Sequence, residues 1–338
     1  MGPGGAEAWG CRGVGVSCAP HSYALLRRKL LTVNKLRRAR NRGTMLVALA
    51  TATATLASGC ALSAGPSSAP DPAGSTFGHI HGLGVDDGAS TVYVATHGGL
   101  YSIPAEVSGA APTISDLTSP IADRAQDTMG FTFLDGTMYG SGHPDPQNPE
   151  GNPPNLGLIT STDNAQTWKS VSLRGDVDFH DIAAARGSDG TVLLHGYSAM
   201  TGIIMTSYDS GLTWTQGATI GARDLAVDAD DGSALYATTQ NGVAVSTDGG
   251  ATFEAVPDAP PLYLIDSLHD RAGGLIGVDT DGTIWVRSLG DWQSTGTIAG
   301  SAEALTFNPQ ANLLVVADEN GVSTSTDHGL SWQAILVR

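Results

Sequence analysis

The sequence predicts an all-β chain, a β-propeller of six four-stranded blades, and three observations carry that reading. An eight-residue box recurs as STDNAQTW from 161, SYDSGLTW from 207, STDGGATF from 246 and STDHGLSW from 325. Its aspartates, Asp163, Asp209, Asp248 and Asp327, are 46, 39 and 79 residues apart. The last gap is close to two repeats, so one unit has lost its box, and the worn copy is VRSLGDWQS at 286–294. Between the boxes, segments such as TVYVATH, SALYATTQ and NLLVVADE alternate apolar and polar residues and end in turn formers, the pattern of short strands. Finally, the chain has 44 glycines, only 15% charged residues and no cysteine after Cys60, so it needs a large core without disulfides. Blades that cover one another's faces supply such a core.

Residues 1–59 read as a leader. The stretch NKLRRARNRGTMLVALATATATLASGC places a basic region, a short apolar run and small residues ahead of Cys60, which is signal-peptide order and too short for a spanning helix. Within it, LASGC resembles a bacterial lipobox, which implies lipidation of Cys60; Leu56 stands four residues before the cysteine where that pattern prefers three. Residues 1–32, with Cys11 and Cys18, read as neither signal nor domain and are expected to precede the true start. Residues 60–76, rich in Ala, Ser and Pro, read as a flexible tether. The expected product is an exported lipoprotein facing the extracytoplasmic side.

The propeller then occupies 77–338, in six units of about 77–121, 122–176, 177–220, 221–260, 261–299 and 300–338, with seven blades as the alternative count. In each box the short Asp side chain accepts bonds from its own turn and Trp168, Trp214, Phe253 or Trp332 packs against the neighbouring unit, while the glycine of the last three boxes, replaced by Ala165 in the first, can take a positive φ. These aspartates are therefore structural.

The pattern Ser-x-Asp-x-Gly-x-Thr-Trp resembles the Asp-box, or BNR repeat, of sialidase-like β-propellers, and the resemblance covers about 77–338. The stretches HIHGLGVDDGASTVYVATHGGLY, SGHP, NLGLITSTD and VDFHDI further resemble bacterial exported Asp-box proteins of a glycosylhydrolase-like group. Fold resemblance implies a possible glycosidase without establishing one.

Charge excludes one partner class. From Cys60 onward there are 8 basic and 32 acidic residues, a balance near −24, which repels phosphate backbones. Nucleic acid is not an expected partner; a metal ion, small molecule or glycan is, with membrane contact only through the lipid anchor and a monomeric state.

Superposing the units on their inner-strand apolar pairs, Leu83/Val85, Phe131/Phe133, Ile182/Ala184, Leu225/Val227, Leu268 in the degenerate unit, and Leu305/Phe307, makes His81, Met129, His180, Arg223, Asp266 and Glu303 equivalent. The ends of the second strands align His97, His143, Tyr197, Gln240 and Glu319. Both sets belong to one edge of an antiparallel blade, opposite the box turns. His79, His81, His97, His143 and His180, five of nine histidines, are thus expected at one mouth, whereas His195, His269 and His328 read as structural. A lone strand-end histidine is commonly a turn residue bonded to a carbonyl; five on one edge suit copper or zinc, and Met129 among them favours Cu(I). Neutral imidazoles are required, so affinity is expected to fall as pH drops through about 6.5.

The sialidase resemblance implies an arginine set for a substrate carboxylate, with Arg124, Arg174 and Arg223 as candidates beside three inner strands and Tyr197 as a further ligand-binding candidate. The family's Arg-Ile-Pro motif is absent, and no tyrosine matches its nucleophile. A different glycosidase would draw two carboxylates from Asp127, Asp178, Asp181, Asp266 and Glu303. The proline-rich loop 143–157 suits a pocket wall or a docking rim. Three readings follow: a propeller binding a metal or small ligand, which is favoured; a sialidase-like glycoside hydrolase; and a protein-interaction platform.

Overall fold

The computed structural model describes residues 77–148, 153–187, 189–228, 232, 234–268 and 273–338. The leader, Cys60, the tether, His269 and the tip of the 143–157 loop lie outside the described residues.

Six antiparallel sheets follow one another along the chain, each built from consecutive strands. Blade one is Ile80–Val85, Thr91–Thr96 and Gly99–Pro104. Blade two is Asp127–Leu134, Thr137–His143, Leu158–Ser161 and Lys169–Ser172. Blade three is Phe179–Arg186, Val192–Ser198, Ile203–Ser207 and Thr215–Thr219. Blade four is Ala222–Val227, Leu235–Thr239, Gly242–Ser246 and Glu254–Ala255. Blade five is Leu262–Ser267, Leu275–Asp279, Thr283–Ser288 and Asp291–Thr297, and blade six is Ala302–Asn308, Leu313–Asp318, Gly321–Ser325 and Gln333–Val337. Two 3₁₀ turns, Ile114–Asp116 and Ile121–Asp123, are the helical content among the described residues.

The core shows why this is a closed ring. Each of six buried clusters joins two successive blades: Phe179 of blade three packs with Leu158 of blade two, Val227 of blade four with Ile204 of blade three, and Phe307 of blade six with Ile284 of blade five. The cluster containing Ile80, Val94, Val315 and Ile335 joins blade six back to blade one. Second strands are covered on both faces, so Val92–Ala95 and Leu313–Ala317 are continuously buried rather than alternating.

Blade one departs from the expected four strands. Residues 105–121 carry Pro112 and Pro120 and do not pair with Gly99–Pro104; instead the Val337 N–H donates to the Pro112 carbonyl at 2.9 Å and Thr113 bridges Val337 in parallel. Proline removes ladder donors, so this segment borders the last strand of blade six instead of extending its own sheet.

The four repeated turns have one hydrogen-bond pattern. In the first, Ser161 Oγ donates to Asp163 Oδ1 at 2.8 Å, Thr167 N to Oδ1 at 2.9 Å, Thr167 Oγ1 to Oδ2 at 2.6 Å, and Ala165 N to Ser161 Oγ at 2.9 Å. Asp209, Asp248 and Asp327 repeat it with Thr213, Thr252 and Ser331. These donors hold the Asp163, Asp248 and Asp327 carboxyls down to about 2. Trp168, Trp214, Phe253 and Trp332 each pack against the cluster shared with the preceding blade, and all four are half-buried. In blade five the worn copy is a two-residue hairpin: Ser288 pairs with Asp291 around Leu289 and Gly290, both at positive φ.

Candidate metal centre

Every inner strand carries one bulge near its start. The ladder skips one residue between Ile80 and Gly82, Thr128 and Gly130, Phe179 and Asp181, Ala222 and Asp224, Leu262 and Leu264, and Ala302 and Ala304. The skipped residues are His81, Met129, His180, Arg223, Tyr263 and Glu303. A bulge re-aims one side chain without altering the ladder around it, so each blade offers one such residue at the same edge. The sequence alignment placed five of the six; in blade five it named Asp266, and the bulge residue is Tyr263. Leu268 had been used as that unit's anchor, whereas Ile265 is the residue level with Leu83.

On blades one to three the histidines converge around two aspartates. His81 Nε2 lies 3.2 Å from His97 Nδ1, and His97 Nδ1 lies 3.1 Å from Asp127 Oδ1. His81 Nε2 is 3.8 Å from the same oxygen, and these three atoms all lie within 4.8 Å of one another. His143 presents Nδ1 to Asp127 Oδ2 at 3.5 Å and Nε2 to Asp178 Oδ2 at 3.6 Å. His180 Nε2 is 2.9 Å from Asp178 Oδ2. His79 stands further out, its ring 5.2 Å from that of His81 and 6.5 Å from that of His97. Met129 occupies the bulge between His81 and His180 in blade order.

Burial sets the protonation of the inner ring. It pushes His81 down to about 3, helped by His97, His79, His180 and the Arg223 guanidinium. His79 is also lowered, first by burial and then by Arg223 and His97, against the raising effect of Glu303. The expected loss of affinity near pH 6.5 therefore does not apply to His81, whose ring stays neutral well below that value. Asp178 is only 3% exposed, and its Oδ1 has no hydrogen-bond partner among the described residues.

The other predicted residues take different roles. Asp181 Oδ2 accepts the Leu225 N–H of the next blade at 2.6 Å, Asp266 Oδ2 that of Phe307 at 2.8 Å, and Glu303 Oε2 that of Ile80 at 3.0 Å. Asp224, which the sequence reading missed, does the same for Ile265 at 2.7 Å. These carboxylates are blade-to-blade fasteners. Burial raises Asp181 to about 6 and holds Asp224 well above the usual carboxylate range, the latter with help from Asp181. Asp181, Asp224 and Asp266 line a cavity of 260 Å³ with Leu83, Phe131 and Phe307. Regular Asp spacing on apolar inner strands was the available signal, since a buried carboxylate must find donors.

Of the three arginines, Arg223 alone occupies a bulge. Its Nη2 donates to the Glu303 carbonyl at 2.7 Å and its guanidinium lies 4.8 Å over the Tyr263 ring. Arg124 Nη1 reaches the Ala165 carbonyl at 3.4 Å, and Arg174 lies in the connection leading to Phe179–Arg186. Tyr197 pairs with Asp181 as Ala95 pairs with Gly82, so it sits two residues short of the position level with His97, which is Ala199. Its ring packs in the cluster between blades three and four. His195 is buried with Nδ1 2.8 Å from Thr206 Oγ1, and His328 Nε2 lies 2.8 Å from Asn312 Oδ1.

No protein-family model matches the chain. The xyloglucanase Xgh74A of Acetivibrio thermocellus is 31% identical over 152 residues, which cover 40% of this chain and 16% of that enzyme. The chain thus spans less than a fifth of the length of the curated relative it matches. Among solved structures, a GH74 enzyme of Niastella koreensis aligns with a TM-score of 0.50 at 18% identity over 76% of this chain and 45% of that one. A gluconolactonase from Xanthomonas campestris aligns with a TM-score of 0.51 at 13% identity, over 74% and 87% of the two chains. At such identities the structural likeness is one of fold.

Proposed function

We propose that this chain is an exported, lipid-anchored, monomeric β-propeller that binds a copper or zinc ion at its histidine-rich mouth. The observation that carries the reading is the convergence of His81 Nε2, His97 Nδ1 and Asp127 Oδ1, two imidazoles and a carboxylate drawn from blades one and two. Two nitrogens and one oxygen with the outer side open form a ligand set that suits Zn(II) or Cu(II). Met129, the feature in favour of Cu(I), occupies the bulge of the neighbouring blade. The acidic surface raises local cation concentration.

Titrating metal-free protein with Zn(II) and Cu(II) by calorimetry, beside a His81→Ala, His97→Ala double variant, tests the site. Loss of two ligands is expected to weaken binding by about 100-fold or more. Equal affinity of the two proteins overturns the reading. The anchor is tested separately: Cys60→Ala is expected to release the protein from the membrane fraction, and unchanged retention excludes lipidation.

A second reading, a glycoside hydrolase, draws support from the partial match to a xyloglucanase and from Asp127 and Asp178 flanking one imidazole. The finer sialidase-like, Asp-box assignment rests on the four turn motifs. Release of reducing sugar from xyloglucan, abolished in Asp127→Asn, would favour this second reading; absence of any product across plant glucans removes it.

A further inference from the structure

We infer that the mouth accommodates two metal ions, the second held by Asp178 Oδ2, His180 Nε2 and His143 Nε2 beside the His81–His97–Asp127 site. The inference rests on the metal reading above and extends it.

Three observations carry it. Asp127 is divided between two neighbourhoods: Oδ1 faces His81 and His97, while Oδ2 faces His143 Nδ1 at 3.5 Å. This ion-pair contact holds the His143 ring between the two aspartates. His143 Nε2 then points at Asp178 Oδ2.

The second observation is Asp178 itself. It is 3% exposed, Oδ1 has no hydrogen-bond partner among the described residues, and the ion pairs found for it are to His143 and His180. A buried carboxylate with no Lys or Arg ion pair among the described residues is costly unless a cation completes the site, and the oxygen that His143 and His180 face is Oδ2. A metal ion on Asp178 supplies that charge, with neutral imidazoles as its other ligands.

Third, one separation fits a pair of ligands better than a pair of hydrogen-bond partners. Asp178 Oδ2 to His143 Nε2, at 3.6 Å, is long for a hydrogen bond. Two atoms each about 2.0–2.2 Å from a tetrahedral zinc stand roughly 3.4 Å apart. His180 Nε2, hydrogen-bonded to the same oxygen at 2.9 Å, supplies the third ligand once its ring turns toward the ion.

The two sites differ in readiness. Only the first has three ligand atoms all within 4.8 Å of one another among the described residues. The second needs His143 or His180 to swing, and their side chains are 44% and 37% exposed, so both have room. The second ion is accordingly expected to bind about tenfold or more weakly, since only a fraction of molecules present the closed arrangement.

The experiment is stoichiometry with Zn(II) alone, by calorimetry and elemental analysis of the dialysed, full processed protein. Wild type is expected to take two equivalents in two steps. Asp178→Asn and, as a surface variant with little folding risk, His180→Ala are each expected to take one, with the tight step changed less than about threefold. His97→Ala is expected to lose the tight step. A single equivalent in wild type, or two equivalents in both Asp178→Asn and His180→Ala, overturns the second site and leaves the first standing. No binding at all by wild type overturns both.

Discussion

Replacing Glu303 by Ala is expected to loosen the joint between the first and last blades. Glu303 is 8% exposed and makes three bonds: Ile80 N donates to Oε2 at 3.0 Å, Arg338 Nη1 to Oε1 at 2.8 Å and Arg338 Nη2 to Oε2 at 2.6 Å. Ile80 is fully buried, so its N–H loses its acceptor in a dry place, a cost of about 1–3 kcal/mol. Arg338 loses its partner too. Stranding a charge in a fully buried pair costs about 3–5 kcal/mol, but Arg338 is 25% exposed and regains water, so roughly 1 kcal/mol is the fitting share. The expected loss is about 2–4 kcal/mol, read by urea unfolding monitored by tryptophan fluorescence. Glu303→Gln keeps an acceptor for Ile80 and should cost about half as much. In a cycle with Arg338→Gln, the pair should couple by about 1 kcal/mol. A loss below about 1 kcal/mol in Glu303→Ala would refute the closure argument, because it would mean that neither the N–H nor the guanidinium depends on this carboxylate.

Two further outcomes are expected. Trp214 lies 4.9 Å from Phe179 of its own blade and donates from Nε1 across the blade interface to Ser172 Oγ at 2.9 Å, but it is only half-buried, so Trp214→Ala should cost about 2–4 kcal/mol, slightly under the usual range for buried aromatics; thermal unfolding checks this, and a change under about 1 kcal/mol contradicts the packing. Burial pushes His195 down to about 4, below its unfolded value of 6.5. Above pH 6.5 both states carry a neutral ring and nothing is lost; as pH falls from 6.5 to 4 only the unfolded chain takes the proton, so stability drops by up to about 3 kcal/mol from this residue. His195→Gln should flatten that portion of the acid stability curve, and an unchanged curve excludes His195 as its source.

The propeller was legible because its repeated parts are local. The turn boxes at 161, 207, 246 and 325 bond to themselves, so their spacing reports blades directly. The bulge ring was legible where a polar residue interrupts an apolar strand, as His81 and Glu303 do, and failed in blade five. There LYLIDS places the aromatic Tyr263 at the bulge and buries both Leu264 and Ile265, so no alternation marks the register. Blade one lost its fourth strand to a contact with Val337, a partner more than two hundred residues away that local pattern does not reveal. The five histidines were placed on one edge by topology alone. That Asp127 and Asp178 organise them, while Asp181, Asp224, Asp266 and Glu303 face neighbouring backbones, depends on which way a carboxylate points at a strand end, and a one-residue shift reverses it.

The bulge repeated on all six inner strands separates two kinds of inheritance. Residues on either side of it are committed to the ladder and to the clusters between blades, whereas the extra residue is left out of the ladder, and only Glu303 among the six is tied to the next blade's backbone by its side chain. Rim chemistry therefore differs from blade to blade while the wall stays alike: imidazole, thioether, guanidinium, phenol and carboxylate stand at six equivalent backbone positions. One scaffold of this kind can be re-equipped blade by blade, gaining or surrendering a ligand at the rim without renegotiating its interior.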